Sequence, residues 1–110
     1  MISEGIIKKT ARRTLEIEIA ALIALKSSIN RGFVDCVRAV YECQGRLVVT
    51  GIGKSALVGQ KIVATLNSTG TPALFMHAAD AIHGDLGMIQ PMDFVLCLSK
   101  SGETPEIKVL

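Results

Sequence analysis

The 110-residue sequence predicts an α/β fold: a parallel sheet covered by helices on both faces. Three features predict it. The hydrophobic period is helical as far as Gly45 and strand-like immediately after. Strand-like runs then alternate with helical ones. Those runs are apolar on both faces, as parallel strands buried on both sides require. The predicted order is α-α-β-α-β-β-α, with at least two strand–loop–helix units.

Residues 3–26 read as a long amphipathic helix, because Leu15, Ile19, Leu22 and Ile23 repeat at i, i+4, i+7 and i+8. Ser27, Ser28 and Asn30 interrupt it. Phe33, Val34, Val37, Val40 and Tyr41 repeat the spacing in a second helix that ends near Gly45. Such stripes are expected in a core before an interface, although both helices precede the sheet and one could pack on a partner subunit.

Residues 46–50 form a short β-branched run bounded by glycines, which reads as a buried strand. Gly51–Gly53 makes a tight loop. Ser55 is the expected N-cap of a third helix carrying Val58, Ile62, Thr65 and Leu66, and Gly70 its expected C-cap. Residues 72–76 are a second strand, 77–90 a polar connection with room for one helical turn, and 93–98 a third strand. Residues 99–102 form another small-residue loop, and a helix is expected from Thr104. A helix that has only begun at Leu110 implies that the chain is the N-terminal part of a longer domain. The expected division is a helical segment over 1–45, packing on the sheet domain, and the first part of that domain over 46–110.

Composition narrows the function. With 49% apolar and 20% charged residues, the chain is not intrinsically disordered. A net charge of +2 without a block of like charges argues against nucleic acid as a partner. The apolar run between Glu18 and Lys26 is far too short to span a bilayer, so no membrane partner is expected. No signal-peptide pattern follows Met1, which makes the cytoplasm the expected location. Cys36 and Cys43 sit seven apart on one helix, about 10 Å from each other and too far to bridge. With Cys97 they read as three reduced, mostly buried thiols. No Cys/His cluster suggests a structural zinc.

Two loops follow strands, where ligands bind in open α/β sheets. They are Thr50-Gly-Ile-Gly-Lys-Ser55 and Ser99-Lys-Ser-Gly-Glu-Thr104. Each delivers backbone N–H groups and hydroxyls to a helix start, an arrangement that suits an anion. A Walker A loop would need glycine where Val48 stands. Gly51, Gly53 and Ala56 formally meet a dinucleotide fingerprint, but His77 stands where the ribose-binding acid belongs. A sugar-phosphate site gives both loops a task, with phosphate on the second loop and Lys54 nearby as a cation.

Each feature also has a plainer reading. Gly51 and Gly53 can serve only a tight turn. Ser99, Ser101 and Thr104 can be caps, but three in one loop favour phosphate. Glu103 and Glu106 suit a helix N-terminus for stability alone. Lys54 opposes the helix dipole there, which favours a function. His77 and His83, with Asp80 and Asp85, are spaced too irregularly for a strong metal signature.

Four segments together resemble the sugar isomerase (SIS) domain of arabinose-5-phosphate isomerases: 49–55, 68–72 (Ser-Thr-Gly-Thr-Pro), 83–87 (His-Gly-Asp-Leu-Gly) and 99–104. The resemblance runs from about Leu15 to Leu110, and the stretch from Ala81 to Gly87 narrows it to the isomerase branch. It implies a three-layer αβα sandwich, flavodoxin- or Rossmann-like, of which this chain is the N-terminal part. It implies interconversion of D-ribulose 5-phosphate and D-arabinose 5-phosphate, feeding Kdo and lipopolysaccharide synthesis. It implies Lys54 and Glu106 as catalytic residues. Gly53, Ser55, Gly70, Thr71 and His83 would contact substrate, and Ser99, Ser101 and Thr104 would hold its phosphate. His77 falls where relatives bind an incidental or inhibitory zinc, and no cofactor is required. Members form homodimers or homotetramers. Ala56 replaces a common glycine, and Lys100 a common asparagine.

An aldose–ketose isomerisation through an enediol needs a base and a positive group for the developing oxyanion. Lys54 supplies the charge, and Glu106 is a candidate proton relay. Two alternatives belong to other classes: a non-catalytic SIS sugar-phosphate sensor, and a nucleotide-binding module using Gly51–Gly53.

Overall fold

A computed structural model describes residues 1–102 of the chain. It divides into two compact units, Met1–Arg38 and Ala39–Leu110.

The first unit is dominated by helix α1 (Glu4–Leu25). Ser3 caps it, its Oγ accepting from the Ile6 N–H at 3.2 Å, and Glu4 adds a negative charge to the first turn. A 3-10 turn at Lys26–Ser28 follows. Asn30 then accepts from the Phe33 N–H at 3.1 Å and starts α2 (Arg31–Glu42), whose last turn belongs to the second unit. The predicted helices are therefore present, but the predicted core stripe is not buried. No residue of α1 is buried, and Leu15, Ile19, Leu22 and Ile23 are each more than half exposed.

The second unit contains β1 (Leu47–Gly51), α3 (Lys54–Ser68), β2 (Ala73–His77), α4 (Ala78–Ile82), a 3-10 turn at Asp85–Met88 and β3 (Phe94–Cys97). The three strands are parallel in the order β2-β1-β3. Register is set at Val49, which lies between Phe75 and Leu96. β1 is buried from end to end, which explains its uninterrupted β-branched composition. On one face Val48, Met76 and Ala81 form the core, with Leu74 and Ile89 against them. Each large side chain buried there contributes roughly 1.5–3 kcal/mol. On the other face α3 packs through its smallest residues. A Cβ added to Gly59 would come within 2.9 Å of the Phe75 ring and 3.2 Å of Val49, so glycine sets the helix–sheet distance. Ala56 is buried beside it, whereas Val58, expected inward, is 56% exposed. Helices on both faces of a parallel sheet make the layered α/β architecture that the sequence predicts.

Two expectations on burial are corrected. β3 alternates: Phe94 and Leu96 are half-buried, while Val95 and Cys97 on the other face are exposed. Its continuous apolar run conceals this because, among the described elements, α4 covers that face over β1 and β2 and not over β3. The three thiols are free, but Cys97 is exposed and Cys36 and Cys43 are only half-buried.

The ends of α3 show how glycine punctuates this fold. Thr69 is the C-cap and Gly70 follows at φ +95°, with Thr71 N–H donating to Leu66 O at 2.9 Å and Gly70 N–H to Asn67 O at 3.4 Å. That is the Schellman closure expected of a C-terminal glycine.

A polar knot fastens the amino ends of β1 and β3. Asp93 accepts from the Arg46 backbone N–H, the Gln90 N–H and the Arg46 guanidinium, each at 2.8 Å. Arg46 also donates to the Met88 carbonyl at 2.8 Å. The guanidinium bond, then the two backbone N–H bonds, hold the Asp93 carboxyl well below the usual carboxylate range. A depressed folded-state pKa stabilises the fold above the unfolded value of 3.8 and is lost as pH falls through the folded one. Asp93→Asn in the full-length protein is therefore expected to melt at a lower temperature than wild type at pH 7. The gap to wild type should close as pH drops below 4. Melting curves of both proteins from pH 7 to pH 2 test this, and a gap that does not narrow in acid would contradict it.

Candidate functional site

The carboxyl ends of β1 and β3 lie side by side, and the chain leaves β1 into α3 on one face while β2 feeds α4 on the other. This is the topological switch point at which α/β sheets bind ligands.

Gly51 brings the two loops together. A Cβ there would sit 3.2 Å from the Leu98 carbonyl oxygen and 3.2 Å from the Ser55 carbonyl carbon. Glycine lets the end of β1 pass closely between the second loop and the first turn of α3, where a Cβ would force both to give by a few tenths of an ångström. Gly53 then adopts φ 62° and ψ −132°, a conformation that L side chains rarely take. It is the N-cap of α3, and no side chain caps the helix. Ser55, expected as that cap, lies instead in the first turn, because the glycine turn starts the helix at Lys54. The first-turn N–H groups are thus left without a side-chain acceptor.

The second loop follows β3 directly. Leu98 N–H donates to Thr50 O at 2.9 Å and extends the ladder. Ser99 Oγ accepts from Gly102 N–H at 2.8 Å, and Gly102 takes φ +72°. Ser101 is exposed in the same loop. Thr104 and Glu106 lie outside the described residues.

Between the loops is an open groove of about 370 Å³ lined by Lys54, Ser55, Val58, Ile62, Leu98, Ser99 and Lys100. Its rim carries two lysines and two serines, and its floor is aliphatic. Neither lysine forms an ion pair among the described residues. The chemistry on offer is anion binding: two cations, two hydroxyls and an uncapped helix start at one end of one groove.

Sequence reasoning missed Thr50. It is fully buried one residue before Gly51, and its Oγ1 has no hydrogen-bond partner among the described residues. A threonine inside a β-branched strand gives no signal of this, since the methyl alone explains it.

The other predicted site residues lie apart from the groove. His77 ends β2 in register with Gly51, at the same edge of the sheet. Its Nδ1 accepts from the Ala79 N–H at 3.2 Å and caps α4, and its ring meets Phe75 edge-on with centroids 6.3 Å apart. Only Nε2 is left for any metal. No group of three or more His, Cys, Asp or Glu among the described residues could hold an ion. His83 is the exposed C-cap of α4. Gly70 and Thr71 stand between α3 and the start of β2, at the opposite edge of the sheet from Lys54.

Residues 40–110 match the family model of the SIS domain. The chain belongs to the SIS domain family. The match takes in all three strands, α3 and both loops of the groove, so the groove is a feature of this SIS domain's own scaffold. Over 103 residues the chain is 48% identical to the arabinose 5-phosphate isomerase KdsD of Yersinia pestis, covering 94% of this chain and 31% of that protein. Over 109 residues it is 44% identical to the arabinose 5-phosphate isomerase GutQ of Shigella flexneri, covering 99% of this chain and 34% of that one. Among solved structures, an Escherichia coli protein in complex with arabinose 5-phosphate superposes with a TM-score of 0.92 at 35% identity. That match covers 98% of this chain and 57% of the other. The chain thus spans about a third of the curated relatives' length.

Proposed function

We propose that this SIS domain is part of a sugar-phosphate isomerase that interconverts D-ribulose 5-phosphate and D-arabinose 5-phosphate, and so supplies the arabinose phosphate used to build Kdo. The observation that carries the reading is the convergence of the two strand-end loops on one groove, with Lys54 and Ser99 on its rim. The phosphate anchors the substrate at the second loop, where Ser99 and Ser101 stand and Lys100 adds charge. A remote anchor of this kind fixes orientation at the reacting carbons. Lys54 then faces the sugar and stabilises the oxyanion that develops as the proton leaves carbon 2 of the aldose or carbon 1 of the ketose. Glu106 relays that proton between the two carbons, while Gly70 and Thr71, at the opposite edge of the sheet from Lys54, take no part at this groove. The reaction needs no metal; His77 offers zinc a single nitrogen, which fits an incidental ligand. The enzyme works in the cytoplasm as a homo-oligomer.

Glu106→Gln removes the proton relay but keeps the shape of the side chain. It is expected to lower kcat by about 10²–10⁴-fold with little change in KM. A near-wild-type kcat would remove Glu106 from the chemistry.

The reading as a whole is tested with the full-length protein and ribulose 5-phosphate in deuterium oxide, with and without a chelator, followed by proton NMR. Arabinose 5-phosphate should appear with deuterium at carbon 2, at the same rate in both samples. Binding without turnover would make the domain a sensor, with Lys54 and Glu106 as ligand contacts. Loss of turnover in chelator would assign the metal a role that this reading denies.

A further inference from the structure

Thr50 is fully buried, and its Oγ1 has no hydrogen-bond partner among the described residues. Strand alternation fixes the face it occupies. Val49 lies against Gly59 of α3, whereas Val48 clusters with Ala81 of α4, so Thr50 faces α4. In register beside it stand Met76 of β2 and Cys97 of β3, and α4 buries Ala78 and Ala81. Cys97 is the one titratable side chain among these neighbours, and its free thiol does not bond the hydroxyl. Valine has the same shape as threonine, and the two preceding residues are valines. A hydroxyl buried here without a partner only costs stability. Its presence therefore points to an acceptor in the chain after Gly102.

Topology narrows the acceptor to the next few residues. Thr50 O holds the Leu98 N–H at 2.9 Å, so the chain leaves β3 directly beside Thr50. The connection from β2 to β3 runs through α4, on the face that Thr50 occupies. Crossovers in a parallel sheet are right-handed, so a connection that continues in the same direction from β3 runs over the same face. Val95 and Cys97 are exposed there, beyond the reach of α4. The helix that the sequence predicts from Thr104 has Pro105 in its first turn, where proline is favoured. On such a helix Glu106 shares a face with Leu110, beside Ile107. Turning those two apolar residues to β3 would bring Glu106 to the carboxyl end of the sheet.

We infer that the Thr50 hydroxyl donates to the Glu106 carboxylate and fixes its orientation. Thr50 is then a positioning residue, a role that rests on the proton relay proposed above for Glu106. A carboxylate that serves two adjacent carbons in turn needs a fixed rotamer, and a buried donor behind it provides one.

Thr50→Val in the full-length protein keeps the shape of the side chain and removes the donor. With ribulose 5-phosphate as substrate, kcat is expected to fall about tenfold with KM little changed. The acid limb of the kcat–pH profile should move to higher pH, because a hydrogen bond to the charged carboxylate is lost. Thr50→Ser should restore both. A role in folding alone would move neither kcat nor its pH profile. Wild-type kcat and profile in Thr50→Val, with urea unfolding unchanged or shifted to higher concentration, would show the hydroxyl to be unpaired and overturn the inference. Thr50→Val in a Glu106→Gln background gives the second test. If the two residues act as a unit, the double variant turns over no more slowly than Glu106→Gln alone. The same fractional loss in both backgrounds overturns the inference. The relay itself is judged separately. Near-wild-type turnover in Glu106→Gln removes the relay and this inference with it, whereas loss of kcat there beside an unaltered Thr50→Val ends the inference alone. Should Thr50→Val fail to fold, Thr50→Ala, which adds no atoms, takes its place in both tests.

Discussion

Lys54→Ala in the full-length protein is expected to lower kcat by about 10²–10³-fold, while KM moves far less. The magnitude follows from what removal of one preorganised charge at a developing oxyanion costs, about 2.7–4 kcal/mol of transition-state stabilisation. The split between the constants follows from the assigned role. A group that acts on the oxyanion alone does nothing for the ground state, so its loss shows in kcat. Lys100, on the same groove but beside the phosphate loop, provides the contrast. In the proposed role it holds the phosphate, an anion present in substrate and transition state alike, so Lys100→Ala should raise KM and leave kcat nearly unchanged. Steady-state kinetics of the two variants side by side check both statements. A rise in KM alone for Lys54→Ala would make that lysine a phosphate ligand and end its catalytic assignment.

The position of Lys54 supports this assignment independently. It is the first residue of α3, where a cation opposes the helix dipole at a cost of about 0.3–1 kcal/mol. No acidic partner among the described residues offsets that cost. Folding would favour a neutral or acidic residue there. The negative ligand proposed for this groove would turn the unfavourable position into a favourable one.

Much of this was readable from local chemistry. The β-branched run at 47–50 announces a strand, the glycine after it a turn, and Gly70 a helix end, because each depends on a residue's own backbone preferences. The groove was readable as two loops, since both carry small hydroxyl residues directly after strands. What escaped was set by distance or by absence. Ser55 looks like a cap, but the glycine turn at Gly53 starts the helix at Lys54 and places Ser55 inside the first turn. His77 looks like a ligand, but the Ala79 N–H occupies its Nδ1. The exposure of α1 and of one face of β3 has no local signature at all, because an apolar stripe reads the same with or without its cover. The Arg46–Asp93 knot joins residues 47 apart, and nothing near either one points to the other.

That knot leads to the largest stability effect. Gly45 precedes Arg46, in the turn between α2 and β1. A Cβ at Gly45 would collide with the backbone carbonyl of Met92 and lie 2.8 Å from Asp93 Oδ1. The obstacle cannot rotate aside as a flexible side chain would. The Met92 carbonyl also accepts from Cys43 Sγ at 3.5 Å, and Asp93 is held by the Arg46 and Gln90 N–H groups, so both neighbours are fixed. A methyl group can be accommodated only by moving β3 away from β1 at its amino end. That shift lengthens the short bonds to Asp93 and the Phe94 N–H bond to Arg46 O, now 3.0 Å. Gly45→Ala is therefore expected to cost about 3 kcal/mol, the upper end for forced overpacking. Urea unfolding of the full-length variant measures it. A second variant isolates the cause: in an Asp93→Ala background the carboxylate is gone, and the cost of Gly45→Ala should fall by a third or more. Equal costs in both backgrounds would place the whole effect on the Met92 backbone and separate the glycine from the knot.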